Sequence, residues 1–178
     1  MNSINERQPE ENRANLQDQE AIEKIKELVD KGQNCFFCTT ASTDQSNGAR
    51  PMNVRQVDDD GNLWFLIAND SYTYRDLKGD PSVELFFQGS KHSDFLQLKG
   101  QVSISSDRGK LKELWESVIQ TWFTGGIDDP RIGIVKVVPS EGYYWDTKHG
   151  NAVAGIKMMI GAVLKKTLDD SMEGKLSV

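Results

Sequence analysis

Few residues in this chain of 178 are equipped for chemistry, and their spacing limits what each can do. Cys35 and Cys38 form a lone C-x-x-C in the stretch "NCFFCTT". Such a pair can be a redox couple or half of a zinc site. The run from Cys35 to Thr40 has the composition of a strand, however, and strand residues three apart point to opposite faces. No second cysteine pair is present to complete a tetrahedral site. We therefore expect two packing cysteines and no metal centre. His92 and His149 sit in the polar turns "SKHSD" and "DTKHG" and are expected to be solvated. No nucleophile elbow, zinc-binding helix or P-loop pattern occurs. The acidic runs Asp58–Asp60 and Asp128–Asp129 read as solvated turns.

The remaining chemistry is a distributed anion site. In "GARPMNVRQV", Arg50 and Pro51 stand at the mouth of a strand. From there Met52, Val54 and Gln56 alternate with Asn53, Arg55 and Val57. Ser71 and Thr73 follow the next apolar strand, at the start of a short helix. Hydroxyls and free N–H groups at a helix start can hold a phosphate, and arginine adds a planar fork of donors. Helix capping plus a surface arginine accounts for the same residues. Trp122 and Trp145 lie at element ends beside glycine or turn residues, where they would flank a flat ligand or fill a subunit interface. Trp64 and the face of Trp115 read as core.

The elements that must position these residues follow from periodicity. Asp18–Lys31 reads as an amphipathic helix burying Ala21, Ile22, Ile25, Leu28 and Val29, closed by Gly32. Strands are expected at Asn34–Ala41, Arg50–Val57 and Asn62–Ala68, then a helix capped by Asp70 or Ser71 and closed by Gly79 and Pro81. Val83–Gln88 and Asp94–Ser105 continue the sheet, with Gly100 a bulge or bend. Asp107 opens a helix to about Phe123 whose buried face would carry Leu111, Leu114, Trp115, Val118, Ile119 and Trp122. Arg131–Val138 and Glu141–Asp146 are the last strands. Short strands joined by tight connections predict a mainly β protein, a closed or nearly closed antiparallel barrel with peripheral helices. Residues 1–17 are expected to be a flexible arm, 18–147 the barrel domain, and 148–178 a C-terminal helix and tail built on "AVAGIKMMIGAVLKK".

A formal charge of −6 argues against nucleic-acid binding. No run reaches the ~18 apolar residues of a membrane span and no signal-like segment is seen, so a cytoplasmic address is expected.

Several pieces occur in order: "TTASTDQSNGARPMNV", "GNLWFLIANDSYTYRDLKGDPSVELFF", "LQLKGQVSISSDRGKLKELW" and "WFTGGIDDPRIGIVKVVPSEGYYWD". Together they resemble the general stress protein branch of the pyridoxamine 5'-phosphate oxidase-like, FMN-binding split barrels. The resemblance covers about residues 20 to 165. It implies a six-stranded antiparallel split β-barrel acting as a homodimer, with FMN in clefts at the dimer interface. By that likeness Arg50, Pro51, Met52 and Asn53 line the flavin ring and reach towards its phosphate. Leu66 and Ile67 lie along the ribityl chain and ring, Ser71, Tyr72 and Thr73 face the phosphate, and Trp122 and Trp145 close the pocket. The family usually carries threonine where this chain has Ile67, and lysine where it has Thr73. Either Arg50 or Arg75 compensates, or this member binds FMN weakly, binds another flavin, or binds none. The resemblance implies flavin-dependent redox chemistry. The alternatives are a non-catalytic binding or storage protein for a flavin or another flat ligand, and a dimer that has lost its cofactor. The Arg-x-His substrate motif of true pyridoxamine-phosphate oxidases is missing, so oxidation of vitamin B6 is not expected.

Overall fold

The computed structural model describes residues 12–40, 42, 47–91, 93–148 and 170–178. His92, His149 and the expected helix from Ala152 lie outside the described residues. Nine strands form one sheet: β1 (Leu16–Gln17), β2 (Asn34–Thr39), β3 (Ala49–Asn53), β4 (Gln56–Val57), β5 (Leu63–Ala68), β6 (Ser82–Gln88), β7 (Phe95–Ser105), β8 (Ile132–Thr147) and β9 (Ser171–Ser177). The helices are α1 (Asp18–Lys31), α2 (Tyr72–Gly79) and α3 (Arg108–Leu114), with 3-10 turns at Ser117–Thr121 and Gly126–Asp128.

The barrel closes where β3 passes into β4. β3 pairs with β2, and β4 pairs with β5. At the joint, Val54 donates its N–H to Gln33 at 2.8 Å, and Arg55 donates to Trp64 at 2.8 Å on the opposite side. Neighbouring amides on an extended chain point opposite ways, so this one segment bridges two strands. The ring then runs β2, β3–β4, β5, β8, β7, β6 and back to β2, every pairing antiparallel. The six-stranded antiparallel barrel expected from the resemblance is therefore present. The expected strand Arg50–Val57 is two short strands because it changes partners.

Inward residues alternate along each strand. Phe37, Phe65, Leu85, Leu98 and Val135 are fully buried, and α1 adds Ala21, Ile25 and Leu28. Phe37 and Phe65 meet edge to face with centroids 5.3 Å apart, a favourable quadrupole arrangement. A second, smaller cluster lies outside the barrel. Leu111, Leu114, Ile119 and Phe123 pack over Ile132 and Ile134, with Trp64, Leu66 and Ala68 beneath.

Four expectations are corrected. The two last strands are one, β8, which continues through Pro139 because Ser140 is taken up as a bulge opposite Lys99 and Gly100. Any Cβ at Gly100 would lie 2.4 Å from the Val138 carbonyl oxygen. The long helix from Asp107 stops at Leu114: Trp115 and Glu116 are extended, and the 3-10 turn follows. Val118 and Trp122 consequently face solvent rather than core. Near the termini, β9 pairs with β8, and residues 13–17 pair with β9, so these two described stretches, expected within the arm and the tail, belong to the sheet. Tyr144 donates its hydroxyl proton to the Ala14 carbonyl at 2.8 Å, and a Cβ at Gly174 would collide with that same carbonyl at 1.7 Å. Glycine here permits the terminal crossing, and nothing in the local periodicity of residues 12–17 announces it.

Candidate functional site

The barrel joint leaves a cleft between β3, β5 and the 3-10 turn. Its volume is about 630 Å³. Small-ligand sites run to roughly 300–1,000 Å³. Its walls include Pro51, Met52 and Asn53 from β3, Leu66 and Ile67 from β5, and Trp122 and Phe123 from the turn. Trp122 is 70% exposed and stands at the rim. Its exposure follows from the break after α3, which turns the last part of the expected helix over the cleft instead of into the core.

Six of the residues singled out for a flavin thus share one hollow: Pro51, Met52, Asn53, Leu66, Ile67 and Trp122. Arg50, Ser71, Tyr72, Thr73 and Trp145 do not line it in the single chain. Arg50 pairs across from Phe37 and so turns towards the barrel end under α2. Its Nη1 donates to Thr73 Oγ1 at 2.6 Å, and its Nη2 lies 3.7 Å from the carboxylate of Asp76. That carboxylate is fully buried and also lies 3.2 Å from the Thr39 hydroxyl. Thr73 thus turns inward as a partner of Arg50. Ser71 caps α2, its Oγ accepting the Tyr74 N–H at 3.2 Å. Tyr72 lies under the Arg75 guanidinium, 4.7 Å from ring centroid to charge. Trp145 is on the outer face of β8, tilted against Tyr143 with centroids 4.7 Å apart.

The residue missed from sequence is Arg55. It follows the joint, lines the cleft, and its side chain is only 12% exposed. Its Nη1 donates to Asn53 Oδ1 at 2.7 Å, its Nε to the Leu114 carbonyl at 3.4 Å, and its Nη2 lies 2.6 Å from Glu116. The Leu114 contact gives a cation to the C-terminus of α3, where carbonyls lack helical partners. It also explains why the helix ends there. A basic residue with alternating neighbours was visible in "NVRQV", but its use depends on a helix 59 positions away in the chain. The Arg55 hydrogen bond holds the Glu116 carboxyl below its usual range. Among the described residues these two are the charges lining the cleft, and they neutralise one another.

The two cysteines pack on β2 as expected. Cys35 is buried and Cys38 half-buried, on opposite faces of β2, and both are free. Burial pushes the Cys35 thiol up to about 12, so it stays protonated at neutral pH and is a poor ligand or nucleophile. Among the described residues no group of acidic, histidine or cysteine side chains could hold a metal ion. Among them, too, no helix is long and apolar enough to cross a membrane.

Comparison with known proteins gives the family and the fold. The profile described as pyridoxamine 5'-phosphate oxidase like matches residues 20–169. The protein bli-3 of Neurospora crassa is 26% identical over 134 residues, covering 68% of this chain and 64% of that protein, so the chain spans just under two thirds of that relative's length. The crystal structure of a candidate general stress protein 26 from Jannaschia sp. CCS1 superposes with a TM-score of 0.72 at 20% identity, covering 88% of this chain and 97% of the other. The general stress FMN/FAD binding protein of Xanthomonas citri gives a TM-score of 0.58 at 23% identity, over 69% and 86% of the two chains. At these identities the structural likenesses speak for the split-barrel fold.

Proposed function

The chain belongs to the pyridoxamine 5'-phosphate oxidase like family, and on that premise we propose that it is an FMN-binding flavoprotein, active as a homodimer in a general stress role. The observation that carries this reading is the convergence of Pro51, Met52, Asn53, Leu66, Ile67 and Trp122 on one cleft of suitable size. The residues fit a flavin: an apolar floor, an amide side chain from Asn53, and an aromatic at the rim that can stack on a ring. The floor strand β5 leads into the Ser71 cap, and Arg50 is the second residue of β3, so the phosphate would be held at that end. Bound flavin supplies hydride or electron transfer at its ring. The chain's own contribution is to bind and orient the ring and to keep water from one of its faces.

The homodimer reading rests on the outer face beside the cleft. Phe36, 58% exposed, pairs across the sheet with Phe86 on one side and Pro51 on the other. Pro51 and Asn34 border both the shallow hollow around Phe36 and Phe86 and the cleft. A second copy covering the phenylalanines would bury an apolar face that is costly in water and would wall the cleft at the same time. Trp145 would then act from the partner side or not at all.

The visible spectrum of the purified protein, before and after adding FMN, tests the flavin reading. A yellow protein, or one that turns yellow and co-elutes with FMN, is expected. A colourless protein that ignores added FMN would overturn it. Phe36→Glu should shift sedimentation from dimer to monomer and lower flavin affinity together. One observation favours a second reading, a binding or storage protein without catalysis: among the described residues the charges lining the cleft, Arg55 and Glu116, are paired with one another. Reduction of the bound flavin by NAD(P)H at a useful rate separates the two, because an inert flavin favours storage.

A further inference from the structure

Arg55 and Glu116 form an ion pair in an unusual place, inside the wall of a ligand cleft. Three donors of the guanidinium are engaged, and they are not equivalent. Nη1 and Nε go to neutral acceptors, the Asn53 amide oxygen and the Leu114 carbonyl, and these contacts set the plane and position of the fork. Nη2 goes to Glu116. The arginine is nearly enclosed, whereas the glutamate side chain is 65% exposed. Glu116 sits at the extended joint between α3 and the 3-10 turn, and it makes no side-chain cap there. One partner is therefore anchored and the other is free to swing out.

We propose that Glu116 is a specificity-determining residue: it occupies Arg55 as a resident competitor and so selects against cleft ligands that present an oxyanion, phosphate or carboxylate, at that wall. This rests on reading the cleft as a ligand site, but not on which ligand fills it. A guanidinium held on two edges by neutral groups is pre-oriented for an oxyanion on the third. The carboxylate of Glu116 already fills that edge, charged at neutral pH as an exposed glutamate is. An incoming anion must displace it. The opposing term is small, since half-exposed ion pairs are weak, and removing it should strengthen oxyanion binding roughly three- to tenfold. Ligands without an oxyanion at that wall leave the pair intact and escape the competition.

Glu113 supplies the control. It lies on α3 three residues before Glu116, is exposed, and is paired with Lys110 outside the cleft. Glu113→Gln removes the same formal charge without uncovering Arg55. The experiment is a titration of the full chain with inorganic phosphate, followed by NMR on the arginine Nε–H resonance of Arg55. Glu116→Gln should bind phosphate there several-fold more tightly than the wild type, and Glu113→Gln should match the wild type. The gain should vanish in the Arg55→Gln, Glu116→Gln double variant, read on a cleft tryptophan resonance, that of Trp122. Superposable curves for wild type and Glu116→Gln would overturn the proposal, as would an equal gain in Glu113→Gln, which would reduce the effect to net charge. A parallel titration compares FMN with riboflavin. If neither flavin binds, the flavin reading fails, and the phosphate curves still decide the role of Glu116.

Discussion

Arg50 and Arg55 lie in one short segment of the chain, on either side of the point where the barrel closes, and they are held in opposite ways. Arg50 points to the barrel end, against the fully buried Asp76 and the hydroxyl of Thr73. Arg55 points to the cleft, against neutral oxygens and an exposed glutamate. Charge counting from sequence treats the two alike. The surroundings give the first a fully buried carboxylate as partner and the second a carboxylate that is mostly exposed.

Stability should separate them most sharply. Asp76→Ala leaves the Arg50 charge without its buried counterpart, and such losses cost about 3–5 kcal/mol. Glu116→Ala should fall within about 0.5 kcal/mol of the wild type, as surface substitutions do. Urea denaturation of both variants is the measurement, and comparable losses would break the contrast. In ligand binding, Arg50→Ala should weaken FMN at least several-fold by removing a donor near the phosphate end, on the order of the 1.5–3 kcal/mol of a charged hydrogen bond at most. Equal affinity in a fluorescence titration would show that Arg50 serves Asp76 alone. Trp122→Ala should lower FMN affinity by a smaller factor and leave the urea midpoint unchanged, because its ring lies in solvent at the cleft rim. A fall in midpoint would mean that the turn, not the ligand, needs the ring.

The smallest effect expected is in acid. The Arg131 side chain, helped by backbone N–H groups, holds the Asp129 carboxyl well below its usual range, and Arg55 does the same for Glu116. Depressed carboxyl pKa values stabilise the fold above the unfolded-state value, and that contribution is lost as pH falls through the folded value. Asp129→Asn should therefore be less stable than the wild type at neutral pH, and the two should converge in strong acid. Glu116→Gln should show the same convergence with a smaller gap, because its carboxylate is well exposed. Denaturant midpoints across the acid range give both curves.

Much of the fold was legible locally. The stripe of α1, the alternation of β5 and β7, the Ser71 cap and the irregularity at Gly100 all appear where periodicity and turn chemistry place them. The misreadings share one cause, which is a distant partner. The helix after Asp107 looks continuous until Arg55 takes up the carbonyl at Leu114. The strand Arg50–Val57 looks continuous until its amides find β2 on one side and β5 on the other. Pro139 looks like a strand end until β7 accommodates the bulge. The terminal strands carry too little apolar pattern to be seen, because most of what orders them is pairing with β8 and β9 and the space left by Gly174. Of the candidate site, the apolar floor and Trp122 were legible, whereas Arg55 and Glu116 were not.

The sequence by itself determined the barrel class, the inward and outward faces of most strands, and the opposite facing of the two cysteines, because each depends on period-two alternation and burial that neighbouring residues encode. Only the tertiary structure decided which arginine faces the cleft, and that Thr73 and Asp76 hold the other. Those outcomes depend on which carbonyls and carboxylates arrive from distant segments when the ring of strands closes. A guanidinium goes wherever its donors are best satisfied, and the spacing of its own segment carries no record of that choice.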